Sequence, residues 1–234
     1  MRIMMTLLHD ADAASIDDYL AVRGVRVLGR ELLDPEEAAI LSVAGHHAPV
    51  LERARSGLSA VWIFEVPSRA DAVELAKAAP GSDGMLEVRE AFTPQDFGAP
   101  ADAPPPPPPP PIQAGKRRYI AFVRNDAIAD AIERPPDRVL AQMDEYCAPM
   151  AADGTMIGGV GLKSSARGSR IRRAAAQRFV LDGPFTESKE LVGGYMLLQA
   201  RSLEDAIDAI RPWLRIHHEG LDLAASAIEV RRLL

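Results

Sequence analysis

Cysteine is almost missing from this chain: Cys147 stands alone among 234 residues. A single thiol excludes an internal disulfide framework and a zinc site built on cysteine pairs. On a helix it reads as a small buried apolar residue. Aromatic residues are also few, at 5%. No apolar run reaches the eighteen or more residues of a membrane-spanning helix. Three phosphate and nucleophile signatures are missing as well: Gly-x-Gly-x-x-Gly after a strand, Gly-x-Ser-x-Gly, and a glycine-rich loop ending in Lys-Ser/Thr. No cofactor is therefore expected. The start, Met1 to Asp10, is too short and too soon acidic for a signal peptide and reads as a first strand. The address expected by default is cytoplasmic.

Charge of one sign is lacking too. The net charge of −6 divides unevenly, with 9 basic and 17 acidic residues in positions 1–115 and 18 basic and 16 acidic in 116–234. Neither half concentrates basic residues as a nucleic-acid binder must, so no nucleic-acid partner is expected. Lys163, Arg167, Arg170, Arg172, Arg173 and Arg178 form a local exception, read as a solvated hairpin. His46-His47 and His217-His218 are adjacent pairs whose members point to different faces of any regular element. Neither pair makes a metal site by itself; surface histidines and no metal are the expectation.

What is present is a globular composition, 47% hydrophobic and 26% charged, broken by one unmistakable spacer. Residues 99–115 include eight consecutive prolines, Pro104 to Pro111. Such a run adopts polyproline II at about 3.1 Å per residue and spans about 25 Å as a semi-rigid rod. It divides the chain into units at 1–98 and 116–234.

The two units echo each other in three blocks. Arg2 to Asp10 echoes Arg118 to Asp126, Val61 to Ala72 echoes Tyr195 to Ala206, and Met85 to Arg89 echoes Ala227 to Arg231. Matched blocks in the same order argue for duplication. The second unit reads as strand 118–125, helix 137–152, hairpin region 155–182, strand 194–200, helix 203–212 and strand 226–232. That is the β-α-β-β-α-β order of a ferredoxin-like fold. The first unit keeps strands at its start, 59–66 and 85–91, and a helix at 69–79. Ser68 and Ser202 are the expected N-caps. Between Pro35 and Arg55 a helix is plausible, with Asp34 as N-cap and Pro35 in the first turn.

The densest chemistry lies in Asp182-Gly183-Pro184-Phe185-Thr186-Glu187-Ser188-Lys189-Glu190, followed by Gly193-Gly194-Tyr195. Gly183 and Pro184 make a turn. Asp182, beside like-charged Glu187 and Glu190, is a candidate general acid/base; alternatively it caps its own turn. Lys189 could bind an anion or pair with either glutamate, and Tyr195 could hydrogen-bond a ligand. Glu229 and Arg231, two apart on one strand, share a face, which suits a site or a mutual salt bridge. Gly158-Gly159-Val160-Gly161 reads as a bend.

This motif, with Glu229-Val230-Arg231, closely resembles the YCII-related family, in particular its DGPF-motif branch, over roughly Arg117 to Leu234. The resemblance implies α+β units of the dimeric α/β-barrel type, here two ferredoxin-like copies joined by the polyproline linker. Burying the open sheet faces against each other would make an intramolecular pseudo-dimer, with further homo-oligomers possible. Most of the family has no established activity. Better-understood relatives imply a His on the first helix and an Asp near the end of the second. Here Ala141 to Tyr146 and Ala209 to Trp213 supply neither. Tyr146, Asp182 and Glu229 are the nearest substitutes. Two functions follow as expectations. One is a small-molecule-binding protein, lyase- or isomerase-like if it is an enzyme, whose site draws on Glu187, Lys189, Glu190, Tyr195, Glu229 and Arg231. The other is a non-catalytic regulatory or interaction protein, since some members of that branch are encoded near extracytoplasmic-function sigma factors.

Overall fold

The structure is a computed structural model and describes residues 1–8, 13–81, 83–102, 110–174, 177–185 and 191–234. The first half contributes β1 (Arg2–Leu8), α1 (Ala13–Val22), β2 (Val27–Ala44), β3 (Val50–Glu52), β4 (Leu58–Glu65), α2 (Arg69–Ala78) and β5 (Gly84–Glu90). The second contributes β6 (Arg117–Arg124), α3 (Ala127–Asp130), α4 (Asp137–Ala152), β7 (Met156–Gly161), β8 (Ser169–Ala174), β9 (Gln177–Asp182), β10 (Val192–Ala200), α5 (Leu203–Gly220) and β11 (Ala225–Leu233). The caps foreseen at Ser68 and Ser202 form, accepting from the amides of Asp71 and Asp205.

The strands form one large antiparallel sheet in the order β7-β10-β6-β11-β2-β4-β1-β5-β8-β9, with β3 paired to β2. A bridge between Ala91 and Leu162 brings the ends of β5 and β7 together, so the sheet curls back on itself. With helices among the described residues packed against it, the architecture is mixed α+β. Strand alternation explains the core. In β1, Ile3, Met5 and Leu7 pack toward α1 and α2, while Met4 and Leu8 point the other way. In β6, Tyr119, Ala121 and Val123 pack toward α5, while Ile120 and Phe122 join Met4 and Leu8. That shared cluster draws on both halves of the chain. Strands buried on both faces read as continuous apolar runs, which is why β1 shows no polar alternation.

Two expectations fail in the first half and its partner. The stretch 35–55 is not a helix: it forms most of β2 and all of β3. The cap signal was locally sound, since the Asp34 carboxylate accepts from the amides of Glu36 (2.8 Å) and Glu37 (3.2 Å). It serves a bulge instead, because Leu33 pairs with Leu233 but Ala38 already pairs with Arg231. Pro35, lacking a donor, sits where the ladder is interrupted anyway. Up to Leu32 β2 pairs with β4; from Leu33 on, across the bulge, it pairs with β11 of the other half. Tertiary pairing of Ala39, Leu41 and Val43 into the α5-side core outweighs local helix propensity.

The region 155–182 is likewise not one hairpin. β7 pairs with β10, whereas β8 and β9 cross over to extend the sheet at β5. A 3-10 turn at Ser165–Arg167 redirects the chain. The basic cluster is accordingly not simply solvated. Arg170 and Arg173 are buried, Arg170 donating to Glu87 (2.7 Å) and Arg173 to the Pro80 carbonyl. The halves thus exchange strands: β2 and β3 enter one sheet flank, β8 and β9 the other.

Candidate functional site

Between α3, α4 and α5 and the strands beneath them lies a cavity of about 330 Å³. Close-packed interiors do not leave such spaces without cause, and here the cause is glycine. Gly159 and Gly161 on β7 and Gly193 and Gly194 on β10 leave this part of the sheet face with little side-chain volume. Gly194 has φ +152°, and a Cβ there would meet the Val160 carbonyl oxygen at 2.5 Å. A Cβ on Gly193 would meet the Asn125 amide group at 2.5 Å. The run 158–161, expected as a bend, lies in a strand, and its Gly159 and Gly161 line the cavity.

The helices supply the roof. Leu140, Met143 and Cys147 on α4 line it at helical spacing, with Trp213 and His217 from α5 and Phe92 and Phe97 from the first half. Most of this lining is apolar. Two polar groups stand out: Asn125 Oδ1 and His217 Nδ1 are buried with no hydrogen-bond partner among the described residues. An unmet buried group costs about 1–3 kcal/mol, so each calls for a physical reason.

His217 stacks on Trp213, with ring centroids 5.2 Å apart and planes 15° from parallel. Burial, helped by the neighbouring His218 and opposed by Asp126, lowers its pKa from 6.5 to about 4. It is thus a neutral imidazole at physiological pH, one donor and one acceptor. The expectation of surface histidines fails for this pair, since both His217 and His218 are buried. His218 is spent structurally: Nε2 lies 2.8 Å from the Gly45 carbonyl and Nδ1 3.2 Å from Ser226 Oγ. The carbonyl can only accept, which places a proton on Nε2. His46 and His47 lie in the turn after β2 and are exposed. Burial, with the Asp144 charge adding to it, pushes the Cys147 thiol up, so it stays protonated and offers no thiolate nucleophile.

The low pKa has a measurable consequence. An unfolded chain protonates this histidine below pH 6.5, whereas the folded protein resists until about 4. Within that window the unfolded state binds more protons, so His217 contributes stability that is full above the window and lost as pH falls through it. The loss is about 2–3 kcal/mol on acidifying from about pH 7 to about pH 4.5. Urea unfolding of wild type and His217→Gln at both pH values should show the wild type losing that much more than the variant. Equal losses would mean that His217 titrates normally.

The residues singled out in the sequence do not converge on one place. Tyr195 lines the cavity; it is buried, edge-on to Phe122 with centroids 6.3 Å apart. Burial and the charge of Glu31 push its pKa up, so it remains a phenol. Tyr146 sits at the α4–α5 contact, its hydroxyl donating to the Ala209 carbonyl. Asp182 is exposed at the end of β9, accepting from Ser169 Oγ at 2.6 Å and from Arg69 at 3.4 Å. Its neighbours explain the turn: a Cβ on Gly183 would fall 1.8 Å from the Ser165 carbonyl oxygen, and Phe185 is buried beneath the Arg170 guanidinium at 4.4 Å. Glu187, Lys189 and Glu190 lie outside the described residues.

Glu229 and Arg231 are buried on the side of β11 facing away from Ile228 and Val230 and pair with each other at 3.1 Å. Arg231 also donates to the Asp34 carbonyl (2.7 and 3.1 Å), meeting an acceptor at the β2 bulge. Burial alone would raise the Glu229 pKa; the Arg124 guanidinium and the Ser56 amide outweigh it and hold it below the ordinary carboxylate value. Glu87 and Arg89 repeat this arrangement on β5 at 3.3 Å, with Arg89 donating to the Lys163 carbonyl and to Asp130.

His217 was legible in principle. Ile210, Trp213, Leu214 and His217 fall on one helical stripe. Ending the second helix at Pro212 hid this; α5 runs on to Gly220 with Pro212 inside it. Asn125, one residue past β6, carries no pattern signal.

A half-open, mostly apolar cavity lined by two residues with unmet polar groups thus lies in a mixed α+β protein. Residues 120–212 match the model of the YCII-related domain. No curated protein matches the chain. One solved structure, described as a crystal structure study of an anthrone oxidase-like protein, is similar at 10% identity and a TM-score of 0.34, covering 100% of this chain and 91% of that one. Among the described residues, no helix is long and apolar enough to cross a membrane, and no group of three or more His, Cys, Asp or Glu could hold a metal ion.

Proposed function

We propose that the protein binds a small, neutral, largely apolar molecule in the cavity of its YCII-related half, with Asn125 and His217 as its polar contacts and Tyr195 in its wall. One observation carries this reading: two buried polar groups without partners line the same apolar cavity. A ligand with an amide-like edge, a donor for Asn125 Oδ1 beside a group that can pair with His217 Nδ1, would satisfy both. A histidine with a pKa of about 4 is a weak base near neutrality. Binding is therefore favoured over proton abstraction. Lyase- or isomerase-like chemistry would use His217 as a neutral donor to a substrate carbonyl. Asp182 and Tyr146, which bond Ser169 and Ala209, are assigned structural roles.

The proposal extends to architecture. Strand orders β7-β10-β6-β11 and β2-β4-β1-β5 support two ferredoxin-like units of the dimeric α/β-barrel type, spanning 1–98 and 116–234 and closing on each other within one chain. The paired Glu87–Arg89 and Glu229–Arg231 couples support a duplication, with the second unit in the DGPF branch. A second reading, a non-catalytic interaction protein, is favoured by exposed Phe179, Val180 and Leu181 on β9, at the sheet edge.

Thermal-shift screening against neutral heteroaromatic and amide-bearing compounds tests the first reading. Hits should stabilise the wild type and lose most of their shift in Asn125→Leu and His217→Phe. Hits that stabilise all three proteins equally would refute the site.

A further inference from the structure

A second cleft, of about 810 Å³, opens between the β2–β3 hairpin and strands β6 and β11. Its walls include Ile40, Val43 and Val50, and Val50 is 56% exposed on β3. A large aliphatic side chain left half in water at the lip of a cleft is a feature that a ligand could cover. The same cleft is lined by Arg55 and Arg124. Arg124 is almost wholly buried and donates through Nη2 to Glu229, while its Nη1 has no partner among the described residues. Arg55 is exposed and makes no ion pair with any described residue. Arg231 lies close enough for the Arg55 charge to act on it.

The cleft lining carries two guanidiniums, Arg55 and Arg124, and one carboxylate, Asp126, while Arg231 behind it is set against Glu229 and Asp34. Glu229 bonds Arg124 and Arg231, and Asp126 accepts from the Ala129 amide as the α3 cap. What the lining offers an anion is Arg55, exposed and in no ion pair with a described residue, and the unmet Nη1 of Arg124, both beside an apolar wall. Arginine matches a planar carboxylate with paired donors. Asp126 on the lining disfavours a dianion.

We propose that this cleft binds an amphipathic monocarboxylate, its anionic head on Arg55 and Arg124 and its apolar body along Ile40 and Val50. The cleft adjoins the neutral-ligand cavity at Asn125, which lines both, but Arg55, Arg124 and Val50 belong to the cleft alone and His217 to the cavity alone.

Calorimetric titration of the full chain tests this with octanoate, phenylacetate, octan-1-ol and inorganic phosphate. Octanoate should bind about tenfold or more tighter than octan-1-ol, as a charge-assisted head group requires, and phosphate should give no comparable affinity. Arg55→Ala removes an exposed, unpaired side chain and should fold normally, weakening octanoate about fivefold or more. His217→Phe should leave octanoate affinity unchanged. Phenylacetate binding tighter than octanoate would assign an aryl acid, and the reverse an acyl chain. The proposal is overturned if neither acid binds, if octan-1-ol or phosphate binds as well as the acids, if Arg55→Ala has no effect, or if His217→Phe abolishes acid binding.

Discussion

Glu229→Leu is expected to destabilise the protein by about 3–5 kcal/mol, the cost of leaving a buried ion without its partner. Glu229 has no exposed surface and accepts from Arg124, from Arg231 at 3.1 Å and from the Ser56 amide at 3.0 Å. The substitution strands two guanidiniums in the interior. Arg231 keeps its bonds to the Asp34 and Leu58 carbonyls, but Arg124 loses its one side-chain acceptor among the described residues. A double variant, Glu229→Leu with Arg124→Met, should therefore recover part of the loss, because the charge and its deficit are removed together. Urea unfolding of the three proteins measures both effects. A loss below about 1 kcal/mol in the single variant would mean that Glu229 is solvated, as in a surface pair.

Separating the halves should have a still larger effect. Neither 1–115 nor 116–234 is expected to unfold cooperatively alone, and mixing them should restore a one-to-one complex. The reason is strand exchange. The core beside α5 includes Ala39, Leu41 and Val43 from β2, and the core beside α1 and α2 includes Ile171 from β8. The central cluster takes Met4, Leu8, Val61 and Ile63 from one half and Ile120, Phe122 and Leu197 from the other. Each fully buried side chain of this size contributes about 1.5–3 kcal/mol. Losing a set of them exceeds the net stability of about 5–15 kcal/mol typical of a domain. Circular dichroism melting with light scattering decides the matter. A sharp melt of monomeric 116–234 would show that each half is self-sufficient.

The sequence showed some parts of this fold plainly and hid others for physical reasons. Helix α4 was visible over 137–152 because its spacing is local, and the Ser68 and Ser202 caps because capping needs only neighbouring residues. The β2 bulge was misread as a helix start because an Asp-Pro pair presents the same local signal in both settings. The crossing of β8 and β9 to β5 depends on long-range pairing that no window of sequence carries. The charged motif drew attention to Asp182, yet it was the motif's glycines, Gly193 and Gly194, that proved to shape the cavity. His217 was hidden because the second helix was read as ending at 212, whereas α5 runs on to Gly220.

The account rests above all on the cavity beneath α4 and α5 being a binding site read by Asn125 and His217. The chain has five histidines, so the imidazole Cε1–Hε1 resonances in a carbon-13 correlation spectrum can be followed one by one. Titrating a thermal-shift hit into the protein should move the His217 resonance and the stacked Trp213 indole, leaving His46 and His47 where they are. Movement at other histidines with His217 silent, while the compound binds, would contradict it.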